Sequence, residues 1–234
     1  KKSGLESAAR NARYNIFKKT LQKNDQLLMA HHADDVAETV LYRLFRGTGI
    51  DGLQGPVKKR ALGEGVIIRP WLDYTKAELS EYLSDHNIDF VHDDTNFEDN
   101  QDRNFIRNEV LKTTFNRWPN ASKQIQKTAD LVFRHKHVHD FLIEKQFGEN
   151  IKGSKLQRKF LLDLDEETCS EIIRFWIKAN NFAMPNKKII GEILKAFIFS
   201  NPSPKTQVNW SRADNDQKSA FLTFSNGDLI LNDK

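Results

Sequence analysis

Apolar residues in the first half of the chain form two patterns, short continuous runs and stripes with helical spacing. The run QLLMA at residues 26–30 is typical of a buried strand, and VIIRPW at 66–71 and DFVH at 89–92 are further strand candidates. Stripes with helical spacing predict helices over residues 5–23, 34–46 and 75–86. Because short strands alternate with amphipathic helices, the sequence predicts a three-layer α/β fold with a mainly parallel sheet.

Several residues in the chain favour helix ends and tight turns. Gly47 suits the C-terminal stop of the helix at 34–46. Thr75 and Glu78 have the spacing of a capping box at the start of the helix that follows. Asn226 and Gly227, between two β-rich runs, predict a two-residue hairpin turn. These positions indicate where the predicted elements begin and end.

Beyond about residue 118 the pattern becomes mainly helical. One long helix is predicted across 118–147, with further helices at 166–180 and 186–199. The segment NPSPKTQVNW is typical of a loop that enters a strand before the terminal hairpin. We therefore predict an α/β domain over residues 1–118, a linking helix over 119–140, and a mainly helical domain over 141–234.

Composition narrows the class of protein. Hydrophobic residues make up 38% of the chain and charged residues 29%, and no apolar stretch approaches the roughly 18 residues that a membrane helix needs. The single cysteine, Cys169, cannot form an internal disulfide, which favours a reducing, cytoplasmic setting. The net charge of +4 falls entirely in residues 119–234. That excess fits an RNA-binding face and a solvated surface equally well.

The stretch AHHADDVAET at residues 30–39 is the strongest candidate for chemistry. It places His31 and His32 at the carboxyl end of a predicted strand, the edge at which open α/β sheets bind ligands. Asp34 and Glu38 then lie four residues apart, so their carboxylates share one end of a helix. Acidic residues also stabilise the first turn of an ordinary helix. Position and residue type together favour a functional site.

Two other clusters leave alternatives open. His135 and His139 of HKHVH could meet on one helical face and complete a metal-hydrolase site with the AHHADD cluster, but that helix otherwise has a solvated pattern, which disfavours a metal role. Arg103 and Arg107 of RNFIR could clamp phosphates or pair with neighbouring carboxylates. Arg10 and Arg13 in the first helix offer the same two interpretations, a phosphate contact or a solvated helix face.

Taken together and in order, these motifs resemble one family. The runs SGLESAARNARY, AHHADDVAETVLYRLFRGTGIDGLQG, IIRPWLDYTKAELSEYL and DDTNFEDNQDRNFIRNEVL are similar to tRNA(Ile)-lysidine synthetases, which are N-type ATP pyrophosphatases. The likeness is close over the first half and looser over the second. It implies part of a parallel-sheet, adenine nucleotide alpha hydrolase-like catalytic domain over 1–118 and a mainly helical tRNA-binding domain over 141–234.

The resemblance implies a ligase that acts in two steps. ATP with Mg²⁺ adenylates the C2 oxygen of the wobble cytidine in the isoleucine tRNA with a CAU anticodon. The amine of free lysine then displaces AMP and forms lysidine. A neutral ring carbonyl is a poor electrophile, so it must first acquire a good leaving group, while cations offset the charge that builds on the phosphates.

The resemblance also assigns catalytic residues. Asp35 is expected to bind Mg²⁺ or to help activate the lysine amine, with Asp34 and Glu38 in support. His31 or His32 is expected to line the pocket for cytidine and ATP. The other residues assigned to the catalytic set are Thr39, Arg103, Asn104 and Arg107.

Contacts to phosphate or to the target nucleotide are assigned mainly to arginines. Arg103 and Arg107 are expected to make them together with Arg10 or Arg13. Gly47 and Gly49 of the RGTG turn are expected to line the nucleotide site.

The family's glycine-rich pyrophosphate loop, SGGxDS, has no match in these 234 residues. Ser3–Ser7, SGLES, lacks the paired glycines and has no strand before it. The resemblance therefore predicts a fragment that does not bind ATP productively alone. Apolar surface exposed on such a fragment would favour association with another chain, a homodimer included. A non-catalytic RNA-binding module and a metal-dependent phosphohydrolase remain the alternative functions.

Overall fold

The computed structural model describes residues 2–91, 102–211 and 219–233, and for residues 2–7 it describes the backbone alone. Residues 93–101, the Asp- and Asn-rich start of the DDTNFEDNQDRNFIRNEVL run, lie outside this description. The chain divides into two compact units, Lys1–Lys136 and His137–Lys234. None of the described helices is both long and apolar enough to cross a membrane.

The first unit contains most of the predicted helices close to their expected bounds. Its elements are α1 (Lys2–Thr20), β1 (Gln26–Leu28), α2 (Ala33–Phe45), α3 (Ile50–Leu53), β2 (Lys59–Leu62), β3 (Gly65–Ile68), α4 (Lys76–Asp85), α5 (Asp102–Phe105), a π-helical segment (Ile106–Leu111) and α6 (Lys112–Arg117). Helix α7 (Ala121–Phe147) begins in this unit and ends in the next.

Local chemistry explains where the helices of the first unit begin and end. Helix α2 stops at the RGTG turn, where Gly47 adopts a φ of +71° and donates its N–H to the Leu44 carbonyl. Helix α4 begins with the predicted capping box, in which the Thr75 hydroxyl accepts the Glu78 N–H and the Glu78 carboxylate accepts the Thr75 N–H. Both predicted boundaries are confirmed.

The described sheet of the first unit is mixed rather than mainly parallel. Strand β3 pairs in parallel with β1 and antiparallel with β2, in the order β1-β3-β2. Strand β2 was not predicted. The prediction that QLLMA is buried was wrong, because β1 lies at the edge of the described sheet and Leu28 is 66% exposed. The predicted strand at 89–92 was also wrong over its described residues, 89–91, which have no regular structure.

Apolar packing in the first unit is divided among small clusters. Tyr14, Leu62 and Ile67 pack α1 against the sheet. The other two clusters pack α2 against its neighbours; they are Val36, Leu72 and Ala129, and Ala37, Ile106 and Leu111. The second of these two clusters fixes the π-helical segment beside α2.

The second unit joins helices to an antiparallel sheet. Its elements after α7 are a 3-10 turn (Gly148–Asn150), β4 (Lys155–Gln157), α8 (Arg158–Leu162), α9 (Glu166–Ala179), α10 (Lys187–Phe197), β5 (Gln207–Trp210), β6 (Ala220–Ser225) and β7 (Asp228–Asp233). The side chains of Asp165 and Asn186 cap α9 and α10. The sheet order is β4-β7-β6-β5, and β4 was not predicted.

One continuous apolar core fills the second unit. Trp176, Phe197 and Leu222 are fully buried within it, and Cys169 of α9 is buried there too. Burial raises the pKa of the Cys169 thiol to about 11. Asn226 and Gly227 turn the β6–β7 hairpin with φ values of +52° and +86°, which confirms the predicted two-residue turn.

Candidate active site

The AHHADDVAET stretch forms the start of α2, directly after the parallel strand β1. His32 is the N-cap residue of α2, and its backbone N–H donates to Asp35 Oδ2 at 2.9 Å. Asp34 and Asp35 lie in the first helical turn, where the helix dipole favours negative charge. Their placement follows from ordinary helix capping, and it also concentrates carboxylates and imidazoles at the carboxyl end of β1.

Asp34 connects α2 to α4. Its Oδ2 accepts the backbone N–H of Lys76, the first residue of α4, at 2.7 Å. The Ala33 N–H donates to the Tyr74 carbonyl at 2.8 Å. These two bonds hold the start of α2 against the start of α4. Asp34 therefore positions the cluster, whatever else it contacts when substrates bind.

Glu38 and Arg107 form a bidentate ion pair at the centre of the cluster. Arg107 Nε donates to Glu38 Oε1 at 2.6 Å, and Arg107 Nη2 donates to Glu38 Oε2 at 2.9 Å. The same Nη2 lies 3.9 Å from Asp35 Oδ1. Glu38 is 5% exposed, and its burial raises the pKa of the carboxyl group, an effect that the bonds from Arg107 oppose. Those bonds raise the pKa of Arg107.

The π-helical segment explains how Arg107 reaches this position. Ile106 and Leu111, on either side of it in the segment, are buried beside Ala37 of α2. Single turns of π-helix change the phase of the side chains and are frequent at functional sites. Packing therefore aims the guanidinium at α2.

The two histidines each leave a ring nitrogen available. Burial lowers the pKa of His31, and the positive charges of Arg69 and Arg10 lower it further, against the opposing effect of Asp35. His31 Nδ1 is buried and has no hydrogen-bond partner among the described residues. The same is true of His32 Nδ1, which lies 3.5 Å from Asp34 Oδ2. Unpaired buried ring nitrogens in a polar cluster are suited to contact a ligand.

Arg69 is a residue of this region that sequence reasoning missed. It follows β3, is 4% exposed, and donates from Nη1 to the Val57 carbonyl at 2.8 Å. Burial is the first cause of its lowered pKa. The buried ring of Tyr14 has the guanidinium groups of Arg10 and Arg60 at 5.2 and 5.3 Å from its centroid. The available signal was the arginine inside VIIRPW, which directly follows the apolar residues of the predicted strand.

Other predicted residues lie on two sides of the cluster. Thr39 and Asn104 are half-buried, and Arg103 places its guanidinium 5.5 Å from the ring centroid of Tyr42 in α2. Arg10 belongs to the Tyr14 group, whereas Arg13 is exposed on α1. A Cβ added to Gly47 or Gly49 would meet nothing within 4 Å, so the RGTG turn is open.

The cluster offers a cation a small set of oxygen ligands. Over residues 2–91, 102–211 and 219–233 there is no group of three or more His, Cys, Asp or Glu side chains that could hold a metal ion by itself. His135 is exposed, and His139 lies beside Asp140 and Glu171. Mg²⁺ commonly takes one or two carboxylates and completes its shell with water and substrate phosphates. Asp35 fits that role, since its Oδ1 makes no hydrogen bond to the described residues.

Comparison with known proteins matches both units. Residues 1–114 match the PP-loop domain family, and residues 156–216 match the TilS substrate binding domain. The chain is 32% identical over 211 residues to the tRNA(Ile)-lysidine synthase of Legionella pneumophila (strain Lens), an alignment that covers 90% of the chain and 49% of that relative.

Two more relatives with the same name agree. The Coxiella burnetii protein is 38% identical over 202 residues, which cover 85% of this chain and 45% of the relative. The Haemophilus influenzae (strain 86-028NP) protein is 32% identical over 234 residues, which cover 98% of this chain and 54% of the relative. The chain thus spans about half the length of the curated relatives it matches.

Proposed function

Because this chain belongs to the tRNA(Ile)-lysidine synthase family, we propose that its first unit forms one wall of a lysidine-forming active site. In the whole protein that site would join lysine to C2 of the wobble cytidine of the CAU isoleucine tRNA. ATP and Mg²⁺ would supply the adenylyl group that turns the C2 oxygen into a leaving group, with AMP and pyrophosphate as products. The second unit would bind the tRNA body.

The observation that carries this proposal is the polar cluster at the start of α2. Carboxylates of Asp34, Asp35 and Glu38, two imidazoles and the guanidinium of Arg107 converge beyond the carboxyl end of β1. Such an edge is where open α/β sheets bind ligands. The chemistry needs a base for the incoming amine and cations near the phosphates, and the cluster contains both.

Asp35 is the residue best placed to receive the proton of the lysine amine. Its Oδ2 accepts the His32 N–H, and its Oδ1 lies 3.9 Å from Arg107 Nη2. A lysine ammonium is not a nucleophile, so one proton must leave nitrogen before the amine attacks C2. Asp35 would accept that proton at Oδ1 or hold Mg²⁺ there, the two roles that the family resemblance implies.

His31 would act as a neutral hydrogen-bonding group. Its lowered pKa keeps the ring uncharged at neutral pH, and its unpaired Nδ1 is free to contact the cytidine or the nucleotide. Glu38, engaged at both oxygens by Arg107, would position that arginine rather than take part in proton transfer. Arg107 would then face the charge that develops on phosphate.

A tRNA affinity measurement tests the proposal without requiring ATP. The affinity of the 234-residue chain is compared for the isoleucine tRNA and the elongator methionine tRNA, both with a CAU anticodon, at one fixed salt concentration. We expect tighter binding of the isoleucine tRNA, because the second unit would read features outside the shared anticodon. The salt concentration must be stated, since phosphate contacts make affinity fall with salt.

Equal affinity for the two tRNAs would mean that this chain does not carry the discrimination, and the proposed function would fail for it. That result would favour an RNA-binding module without tRNA selectivity. The use of free lysine, a homodimeric assembly and a cytoplasmic location, all expected from the sequence, remain predictions within this proposal.

A further inference from the structure

Two arginines face one tyrosine on α2, beyond the catalytic cluster. The guanidinium carbons of Arg46 and Arg103 lie 5.0 and 5.5 Å from the centroid of the Tyr42 ring. Arg46 also donates a hydrogen bond to the Tyr42 hydroxyl. Arg46 belongs to the C-terminal end of α2, whereas Arg103 comes from α5. Two separate elements therefore bring positive charge to the same aromatic side chain.

Within residues 2–91, 102–211 and 219–233, no carboxylate forms an ion pair with the arginines of this group. Arg107, by contrast, pairs with Glu38. Like charges that share one ring repel each other, and the cation–π contacts offset that repulsion only in part. An anion bound between the guanidinium groups would remove the repulsion and gain charge-assisted hydrogen bonds.

The backbone beside the group is open. Arg46 precedes the RGTG turn, where a Cβ added to Gly47 or Gly49 would have no heavy atom within 4 Å. Arg46 itself is exposed, and Tyr42 and Arg103 are half-buried. A bulky polyanion can therefore reach the group, which a closed ion-pair network would prevent.

The group continues the face of α2 that carries the catalytic cluster. Tyr42 and Arg46 follow Glu38 at intervals of four residues, so they lie about one and two helical turns, roughly 6 and 12 Å, along the same face. A nucleotide at the catalytic end would place its neighbours in the strand along this face. The ring of Tyr42 is occupied by the guanidinium groups, so phosphate contact is favoured over base stacking.

We propose that Tyr42, Arg46 and Arg103, with the open turn Gly47–Gly49, form a subsite for a phosphodiester group of the RNA strand next to the reacting nucleotide. The inference rests on the proposed function for the identity of the RNA. Tyr42 holds the two guanidinium groups, and the arginines contact the phosphate oxygens. Because phosphate carries no sequence information, this subsite orients the strand without selecting it.

The test is the salt dependence of RNA binding by the 234-residue chain. Binding of a CAU stem-loop is measured between 50 and 200 mM salt for the wild type and for Arg46→Gln, Arg103→Gln and the double variant. Each substitution should weaken binding roughly fivefold and lower the slope of log K against log salt by about 0.7, the value for one phosphate contact on a single strand. Arg46→Lys should retain the slope because it keeps the charge.

Arg134→Gln is the matched control. Arg134 lies in the same unit and already pairs with Asp130 at 2.7 Å, so its loss changes net charge equally but should leave the slope unchanged. Equal losses in Arg46→Gln and Arg134→Gln would overturn the subsite, as would unchanged slopes in the double variant or no measurable RNA binding by the wild type.

Two further probes separate this inference from the proposed function. A stem-loop with a scrambled loop should show the same change in slope, because the subsite reads phosphate alone. If the chain shows no tRNA selectivity but the arginine variants still lower the slope of log K against log salt as expected, the proposed function is wrong and the subsite is supported. Inorganic pyrophosphate identifies the source of the phosphate: if Arg46→Gln weakens pyrophosphate binding and not RNA binding, the assignment to RNA is wrong.

Discussion

The two units of the chain are stabilised in different ways. The second unit has a continuous apolar core that includes Trp176, Phe197 and Leu222, all fully buried. The described part of the first unit has three small apolar clusters and buries Glu38 and Arg69 nearby. The second unit is therefore stabilised mainly by apolar burial, whereas the first unit also buries charged side chains, which reduces stability but forms the candidate site.

Charge inside the first unit makes its packing directional. Buried charges are expensive unless they are paired and hydrogen-bonded. Arg107 meets that requirement for Glu38, and the Lys76 N–H meets it for Asp34. Apolar burial in the second unit is not directional, whereas the hydrogen bonds of the first unit depend on both distance and angle.

The largest expected effect is the loss of Trp176. Its side chain is fully buried, and its indole N–H donates to the Gly153 carbonyl at 2.8 Å. Trp176→Ala should destabilise the second unit by about 4 kcal/mol, from the cavity and the lost hydrogen bond together. Hydrogen exchange should accelerate in α9 and α10 and change little in α2 and α4.

Trp118→Ala is the matched control for that substitution. Trp118 is 64% exposed, so its truncation should cost less than about 0.5 kcal/mol. If Trp176→Ala accelerated exchange equally in α2 and α9, the two units would be one cooperative structure, and the contrast between them would be wrong.

Local signals explain the parts of the fold that the sequence predicted. The stripes of α2, α9 and α10, the capping box at Thr75 and the turn at Asn226 depend on residues a few positions apart. Strands β2 and β4 were missed because KRAL and KLQ are short, and only pairing with β3 and β7 makes them strands. The exposure of β1 likewise follows from strand order.

The candidate site was predictable in its residue types and less so in its contacts. AHHADD indicated the cluster, but the pairing of Arg107 with Glu38 joins residues 69 positions apart and was not predicted. The sequence offered only a phosphate clamp or pairing with neighbouring carboxylates for Arg107. Arg69 was missed because its position beside His31 depends on β3 lying next to β1. Tertiary proximity of this kind has no local sequence pattern.

The next largest effect should come from breaking the central ion pair. Arg107→Gln leaves the Glu38 carboxylate buried without its bidentate partner, which should cost about 3 kcal/mol in the first unit. The pKa of Glu38 is raised by burial, so a protonated Glu38 is the better-tolerated form. The loss of stability should therefore be smaller at pH 5 than at pH 8. The measurement is urea unfolding, with hydrogen exchange in α2 as the readout.

Glu38→Gln combined with Arg107→Gln is the control for the ion pair. The double variant removes both charges, so it should recover most of the stability that the single variant loses. Its stability should also lose the difference between pH 5 and pH 8. Equal destabilisation of the single and double variants would mean that shape, and not charge, holds the cluster together.

The smallest effect is expected at the capping box of α4, where the Glu78 carboxylate is partly exposed. Bonds from Lys123 and then from Thr75 lower the pKa of Glu78 from 4.5 to about 2. The unfolded chain therefore binds a proton at Glu78 between these pH values while the folded chain does not, so the stabilisation is present above pH 4.5 and is lost as the pH falls toward 2. In a plot of the urea unfolding midpoint against pH, Glu78→Gln should reduce the slope between pH 4.5 and pH 2. Glu81→Gln, on the exposed face of the same helix, should leave that slope unchanged. Equal flattening by both substitutions would show that net charge, and not the capping contacts of Glu78, sets the acid sensitivity of the first unit.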